Sequence, residues 1–385
     1  MRILISAGEA SGDFYGAELM KALRKQVLER GLTSDIEFFG VGGEQMRAAG
    51  CELLADAREI AEVGIVEVVR HVPTIYRRFR QVVREAERRR PDAAVLIDFP
   101  DFNLRLAREM HSRSVPGIYY VSPQIWAWKQ RRIERVRKYV GKMLVIFPFE
   151  EKFYRERGVA AQFVGHPLAD FPAPAITREQ FAAKNQLDAS REWIALLPGS
   201  RRAEVSRIFP TLLEAARLLG PDYLYVVPVA STLDANWMAR FLHGYAGPPI
   251  AFINDARAVL LHARAAVVAS GTSTLEATLI GTPFAMVYQV APLTWTLGRR
   301  LVKVDRFAMV NLIAERDIVP ELVQSDFTAQ RVCAELQQII PDGEARETML
   351  AGFREVRERL KPKDAGGNAS ERAAKAVLNV LQQPL

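Results

Sequence analysis

Two segments of this 385-residue chain carry residue types that can hold an anion: WIALLPGSRRAEV (193–205) and AVVASGTSTLEATLIGTP (266–283). Each runs from an apolar stretch through a Gly/Ser/Thr turn into a helical pattern. Such a turn aims backbone N–H groups and the positive end of a helix dipole at one point. The first turn, with Gly199 and Ser200, adds the guanidinium groups of Arg201 and Arg202. The second, Ser270-Gly271-Thr272-Ser273-Thr274, adds hydroxyls and, one helical turn on, the Glu276 carboxylate. A cation for phosphate and a carboxylate for a ribose diol point to a nucleotide-diphosphate site, and so to an enzyme that uses a nucleotide-sugar. A purely structural role competes at both turns. Pro-Gly-Ser is common punctuation before a helix, and Ser273-Thr-Leu-Glu276 has the spacing of a capping box.

The elements that must position these turns alternate between strand and helix patterns. Strands are expected at 2–7, 36–41, 93–98, 117–121, 142–148 and 161–164, with helical patterns at 16–29, 73–89, 104–112 and 149–157. The strands are short, apolar and β-branched without in–out alternation, as in a parallel sheet covered on both faces. A proline-rich stretch, GHPLADFPAPAITREQF (165–181), interrupts this rhythm, which resumes with strands at 193–197, 223–229, 250–253, 265–269 and 284–287. The expectation is an α/β protein with two Rossmann-like, doubly wound domains facing a cleft, the glycosyltransferase arrangement called GT-B. The boundaries expected are 1–168 for an acceptor and membrane-facing domain, 169–190 for a linker, 191–343 for a UDP-sugar domain and 344–385 for C-terminal helices that cross back to the first domain. A dehydrogenase is excluded, because the first turn, Gly8-Glu9-Ala10-Ser11-Gly12-Asp13, lacks G-x-G-x-x-G.

Apolar content of 49% and charged content of 25% are those of an ordinary globular protein. Cys51 and Cys333 form neither a disulfide framework nor a metal-spaced cluster, which fits a reducing cytoplasm. The start, MRILISAGEASGD, is too acidic for a signal peptide and reads as a first strand. No apolar run approaches the ~18 residues of a membrane span. The net charge of +7 is concentrated around Arg70–Arg90 and Lys129–Lys142, where apolar residues interleave with the basic ones. Such segments serve nucleic acid, an anionic membrane surface or phosphorylated substrates, or are simply solvated helix faces.

Several stretches together resemble the lipid-A-disaccharide synthase family: SAGEASGD (6–13), GVGG-x-x-M-x-x-x-G-C (40–51), VGIVEVV (63–69), IDFPDFN (97–103), YVSPQIWAWKQRR (120–132), FPFE (147–150), VGHPLAD (164–170), LLPGSRRAEV (196–205) and ASGTSTLEATLIGTP (269–283). They run in order through most of the chain. The resemblance implies an inverting transfer from UDP-2,3-diacylglucosamine to the 6-hydroxyl of 2,3-diacylglucosamine 1-phosphate, yielding a β-1,6-linked disaccharide and UDP. The residues alone support only a nucleotide-sugar enzyme. A soluble-acceptor transferase and a UDP-sugar epimerase of the same architecture remain alternatives. A nucleic-acid binder finds support only in Trp126 and Trp128 beside Lys129, Arg131 and Arg132, and no nucleic-acid partner is expected.

Inverting transfer needs a base for the acceptor proton and charge stabilisation at the departing diphosphate. Asp98, ending the strand AAVLID, leads as the base; Asp101 is its close rival, and Glu9 is a third candidate. Either aspartate could instead cap the helix that follows. Asn103 shares that turn, and Glu9 and Ser11 could hold the acceptor. The chain contains no D-x-D, so no metal and no cofactor are expected; Arg201, the amides of Gly199 and Ser200 and the helix N-termini would meet the leaving-group charge. His166 and Asn311 are further cleft candidates. The acylated substrates call for the cytoplasmic face of the inner membrane, met peripherally. Val66, Val68, Val69 and Val72 are the expected membrane contacts, with 293–307 as a second apolar–basic segment. The stripe Ile75, Tyr76, Phe79, Val82, Val83, Ala86 has the spacing of core packing. A second copy of the chain, in a homodimer, is the remaining candidate partner.

Overall fold

The strand segments are buried almost end to end: five of six positions in β1 (Arg2–Ala7) and all five in β4 (Ala93–Ile97). A strand covered on both faces needs a parallel sheet between helical layers, and that is what forms. The computed structural model describes residues 1–31, 35–57, 68–128, 130–230, 232–292, 295–296, 305–363 and 366–382, with backbone alone for Ala10 and for 68–72. It divides into two compact units, 1–170 with 360–385, and 171–359.

In the first unit, β2 (Glu37–Gly42), β3 (Cys51–Asp56), β5 (Gly117–Tyr120), β6 (Lys142–Val145) and β7 (Ala161–Phe163) join β1 and β4. The order is β3-β2-β1-β4-β5-β6-β7, and every pairing is parallel. Helices α1 (Ala10–Glu29), α2 (Glu44–Ala48), α3 (Val68–Arg89), α4 (Pro100–His111), α5 (Ile133–Tyr139) and α6 (Pro148–Arg155) connect the strands. In the second unit, α7 (Arg178–Asn185) precedes six strands: β8 (Trp193–Leu197), β9 (Leu224–Pro228), β10 (Ile250–Ile253), β11 (Ala265–Ala269), β12 (Phe284–Tyr288) and β13 (Glu321–Val323). Their order is β10-β9-β8-β11-β12-β13, again all parallel. Between and after them run α8 (Arg202–Leu219), α9 (Ala235–Ala239), α10 (Ala256–His262), α11 (Thr272–Ile280), α12 (Met309–Ala314), α13 (Ala329–Ile339) and α14 (Glu344–Arg359).

Both sheets reverse winding direction at one place, between β1 and β4 and between β8 and β11. Such switch points leave a crevice at the carboxyl ends of the strands. Of the two tail helices, α14 stays with the second unit, while α15 (Ala369–Gln382) crosses back and packs on α1. Asp170 helps fix that return, accepting the Ala369 amide at 2.7 Å, and Arg372 Nε donates to the Val164 carbonyl at 2.7 Å.

Several element ends differ from those expected, each for a local reason. Helix α1 begins at Ala10, so the first glycine turn is its opening coil. There Asp13 is buried and caps α2, accepting the amides of Gly43 (2.7 Å), Gln45 (3.0 Å) and Met46 (3.0 Å). A Cβ at Gly43 would lie 2.7 Å from that carboxylate, so only glycine fits. Thus SAGEASGD and GVGG are two halves of one joint. Helix α3 starts before Pro73, which sits within its first turns. Residues 171–190 fold with the second unit: Phe181 of α7 is buried against Trp193, and Thr177 caps the helix through the Gln180 amide.

Candidate active site

Adjacent parallel strands end together, so the turn after β1 lies beside the turn after β4. The Phe99 ring covers Gly8 so closely that a Cβ there would sit 2.1 Å from it. Asp98 and Phe99 both adopt left-handed backbone, with φ of 44° and 50°. That region costs non-glycine residues about 1 kcal/mol or more and persists only where surroundings over-determine it. Here the Asp98 amide donates to both the Tyr120 and Val121 carbonyls at 3.2 Å, and the Asp98 carbonyl accepts the Tyr119 hydroxyl and, at 2.8 Å, Asn103 Nδ2. Asn103 is fully buried; its Nδ2 also donates to the Ser6 and Ile97 carbonyls (3.2 and 3.1 Å), and its Oδ1 accepts the Ser6 hydroxyl at 2.7 Å. It ties β1 to β4.

The switch point brings together two of the three carboxylates singled out in the sequence. Burial first, and the Glu9 charge second, push the Asp98 carboxyl up to about 6, against a hydrogen bond from the Phe99 amide. Glu9 itself is exposed, at the N-cap position of α1, and Ser11 is half-buried in its first turn. Asp101 is exposed, in the first turn of α4, and forms an ion pair with Arg132. Helix α4 starts at Pro100 after Phe99 with no side-chain cap, so neither aspartate plays the capping role open to it in sequence. A carboxyl near 6 beside a sheet switch point suits proton acceptance at neutral pH.

In the second unit, the turns at 198–201 and 270–274 follow the adjacent strands β8 and β11. Gly199 needs its φ of 114° to pass the Glu204 side chain, whose carboxylate accepts the Ser200 amide at 3.1 Å and is also bonded by the Arg201 amide. Arg201 is the N-cap residue of α8 and exposed, whereas Arg202 lies over Trp237, 5.4 Å from the ring centre. Helix α11 begins at Thr272 behind Gly271 (φ 149°), without a side-chain cap, so the capping box of Ser273 and Glu276 does not form. Gly271 and Thr272 are exposed, Ser273 half-buried, and Ser270 donates to the Phe307 carbonyl at 3.3 Å. Thr274 is buried and donates to the Gly271 carbonyl at 2.7 Å. Burial raises the Glu276 carboxyl, and Arg257 opposes the shift.

The remaining candidates are buried or lie outside the described residues. His166 is fully buried in the first unit, its Nδ1 accepting the Leu168 amide at 3.1 Å and its ring against Phe147; burial holds it near 3, hence neutral. Asn311 is also fully buried, bonding Val319 and Glu321 through Nδ2 (2.9 Å each) and the amides of Ile318 and Val319 through Oδ1 (2.8 and 3.0 Å). Val66 lies outside the described residues, as do the side chains of Val68, Val69 and Val72 and most of 293–307. Along α3, Val82, Val83 and Ala86 are buried and Ile75 and Phe79 pack on them, but Tyr76 is 63% exposed and departs from the expected core stripe. It shares the open face with Arg77, Arg80 and Arg84. No described helix is long and apolar enough to cross a membrane. Sequence reasoning gave no role to Glu204 or Glu150, although a glutamate three positions after a helix-opening residue is a readable capping signal.

The family model of lipid-A-disaccharide synthetase matches residues 3–377. A lipid-A-disaccharide synthase of Koribacter versatilis is 55% identical over 100% of this chain and 99% of its own length. One from Acidobacterium capsulatum is 48% identical over 99% of this chain and 96% of its own. The crystal structure of the glycotransferase of kitacinnamycin superposes with a TM-score of 0.63 at 16% identity, covering 98% of each chain, which establishes the shared two-domain glycosyltransferase fold. Relatives of such identity, aligned from end to end, leave one assignment: the chain belongs to the lipid-A-disaccharide synthetase family.

Proposed function

We propose that the chain condenses UDP-2,3-diacylglucosamine with 2,3-diacylglucosamine 1-phosphate, with inversion, through the two switch-point sites. The second unit takes the donor: Arg201, the Gly199 amide, the Ser200 amide on release from Glu204 and the α11 N-terminus meet the diphosphate, and Glu276 takes the ribose diol. The first unit takes the acceptor between the Glu9–Ser11 turn and Asp98. The Asp98 carboxylate accepts the proton of the 6-hydroxyl as that oxygen bonds to the anomeric carbon. The bond from that carbon to the β-phosphate oxygen breaks, and its electron pair leaves on UDP, where guanidinium and amide donors stabilise it. Asn103 and Asn311, fully bonded within the protein, act by holding their turns in shape.

One observation carries this reading: Asp98, held in left-handed backbone at the β1–β4 switch point, has its carboxyl raised to about 6 by burial and Glu9. The exposed basic face of α3 supports peripheral attachment to an anionic inner-membrane surface from the cytoplasm, where the acylated substrates reside. The test is transfer of radiolabel from UDP-diacylglucosamine to diacylglucosamine 1-phosphate by purified protein. A β-1,6 disaccharide with stoichiometric UDP is expected. Turnover of the UDP-sugar alone, with no acceptor consumed, overturns the reading in favour of an epimerase.

A further inference from the structure

Beyond β5, the chain turns away at Val121, whose φ of 60° is left-handed, and continues through Ser122–Trp128 without a ladder partner to fix it. Helix α6 fixes it, the Tyr154 hydroxyl donating to the Pro123 carbonyl at 3.3 Å and one buried carboxylate taking two side-chain donors. Glu150 on α6 is 1% exposed. Its Oε1 accepts the Ser122 hydroxyl at 2.5 Å and the Trp126 indole N–H at 3.0 Å; its Oε2 accepts the Phe147 amide at 3.1 Å. A glutamate serving only as a helix cap needs the last of these bonds and no burial. Here the second oxygen collects two side-chain donors from the loop after β5. Burying a carboxylate is costly unless its lone pairs are met, so this arrangement strongly favours one loop conformation.

That loop is adjacent to the catalytic candidate. The Asp98 amide donates to the Tyr120 and Val121 carbonyls, and the Tyr119 hydroxyl donates to the Asp98 carbonyl. The geometry points to Glu150 as a positioning residue for Asp98: through Ser122 and Trp126 it holds the end of β5, on which the strained Asp98 turn hangs. This inference rests on the proposed role of Asp98 as base. Burial also pushes the Glu150 carboxyl up to about 7, against the donors from Ser122, Phe147, Trp126 and Ile146. The other titratable groups around it are Tyr154 on the same helix, raised by burial, and His166 behind Phe147, held near 3; both stay neutral around pH 7. The ionised form grips its donors more strongly, so the loop tightens as pH rises through neutrality.

The experiment compares the full-length wild type with E150Q, S122A and D98N in the transfer assay across pH 5–9. In E150Q, kcat falls at least ten-fold while KM for the UDP-sugar stays within two-fold, and the acid limb of log kcat/KM drops from a slope of about two to about one. S122A, which removes one donor and guards against misfolding of E150Q, shifts the acid limb to higher pH, because the ionised carboxylate has lost a partner. E150Q and S122A with wild-type rates and profiles, beside an inactive D98N, overturn the positioning role alone. A D98N variant within a few-fold of wild type overturns the base assignment and this inference with it.

Discussion

The Glu204 carboxylate accepts the Ser200 amide at 3.1 Å, so the donors at the start of α8 already hold an anion supplied by the protein itself. Burial raises that carboxyl from its ordinary value, against the amides of Ser200 and Arg201. A diphosphate approaching the same amides meets a like charge and an occupied donor. E204Q is therefore expected to bind UDP several-fold more tightly, at a cost of about 1 kcal/mol in stability from the weakened cap. Calorimetric titration with UDP checks this; weaker binding by E204Q would mean the carboxylate shapes the site and does not compete for it.

In the proposed donor site Arg201, at the N-cap of α8 and exposed, is the cation that meets the diphosphate. Its replacement by alanine removes a charge-assisted contact worth ~1.5–3 kcal/mol, so UDP affinity falls at least ten-fold. R202A, whose guanidinium is engaged over Trp237, is expected to change UDP affinity much less. Equal losses in the two variants would contradict the division of labour.

For Asp98, activity and stability move in opposite directions. Its carboxyl sits at about 6 in the folded chain, above its value in an unfolded one. The folded state then holds the extra proton between about pH 4 and 6, and stability falls as pH rises through that window. The penalty is absent below it and complete above it. D98N removes the penalty, so it melts at a higher temperature than wild type at pH 8 and at the same temperature near pH 4. Its turnover drops 10²–10⁴-fold with UDP binding unchanged. D101N removes the partner of Arg132, whose side chain is only 15% exposed, so it loses some stability but little turnover.

In the proposed mechanism arginine and backbone amides meet the leaving-group charge, so transfer is expected to be insensitive to chelation. Activity after EDTA treatment and desalting should equal that of untreated enzyme. Abolition by EDTA, with recovery on adding Mg²⁺, would assign the diphosphate to a metal.

The proposed membrane attachment is tested at the exposed arginines of α3. Neutralising Arg77, Arg80 and Arg84 together removes ~1 kcal/mol each of attraction to an anionic surface. Sedimentation with phosphatidylglycerol vesicles should decline strongly, while activity on detergent-dispersed substrates stays near wild type.

The sequence made the switch-point turns legible because strand-ending residues such as Asp98 and Gly199 sit where apolar runs give way to polar turns. Strand β3, CELLAD, escaped because its burial alternates partly and it resembled a motif tail. Strand β13 has three residues, too few for any periodicity to register. The start of α1 is hidden by Gly8 and Gly12, whose lack of side chain answers contacts with the distant Phe99 and Ile97 and with the neighbouring Ala7. Nothing near Glu150 in the sequence signals its burial. Its partners Ser122 and Trp126 lie more than twenty residues away, and only the pairing of β5 with β6 brings them to it.

The return of α15 to the first unit has a consequence for biosynthesis. Ala373, Ala374, Val377 and Leu378 are buried in a unit whose strands, the last ending at Phe163, were all made long before them. A ribosome releases β8–β13 and their helices before it releases α15, so the second unit has its whole chain available first. Until then the nascent first unit exposes the apolar flank of α1, and its last step of folding waits for the long-range closure that α15 supplies.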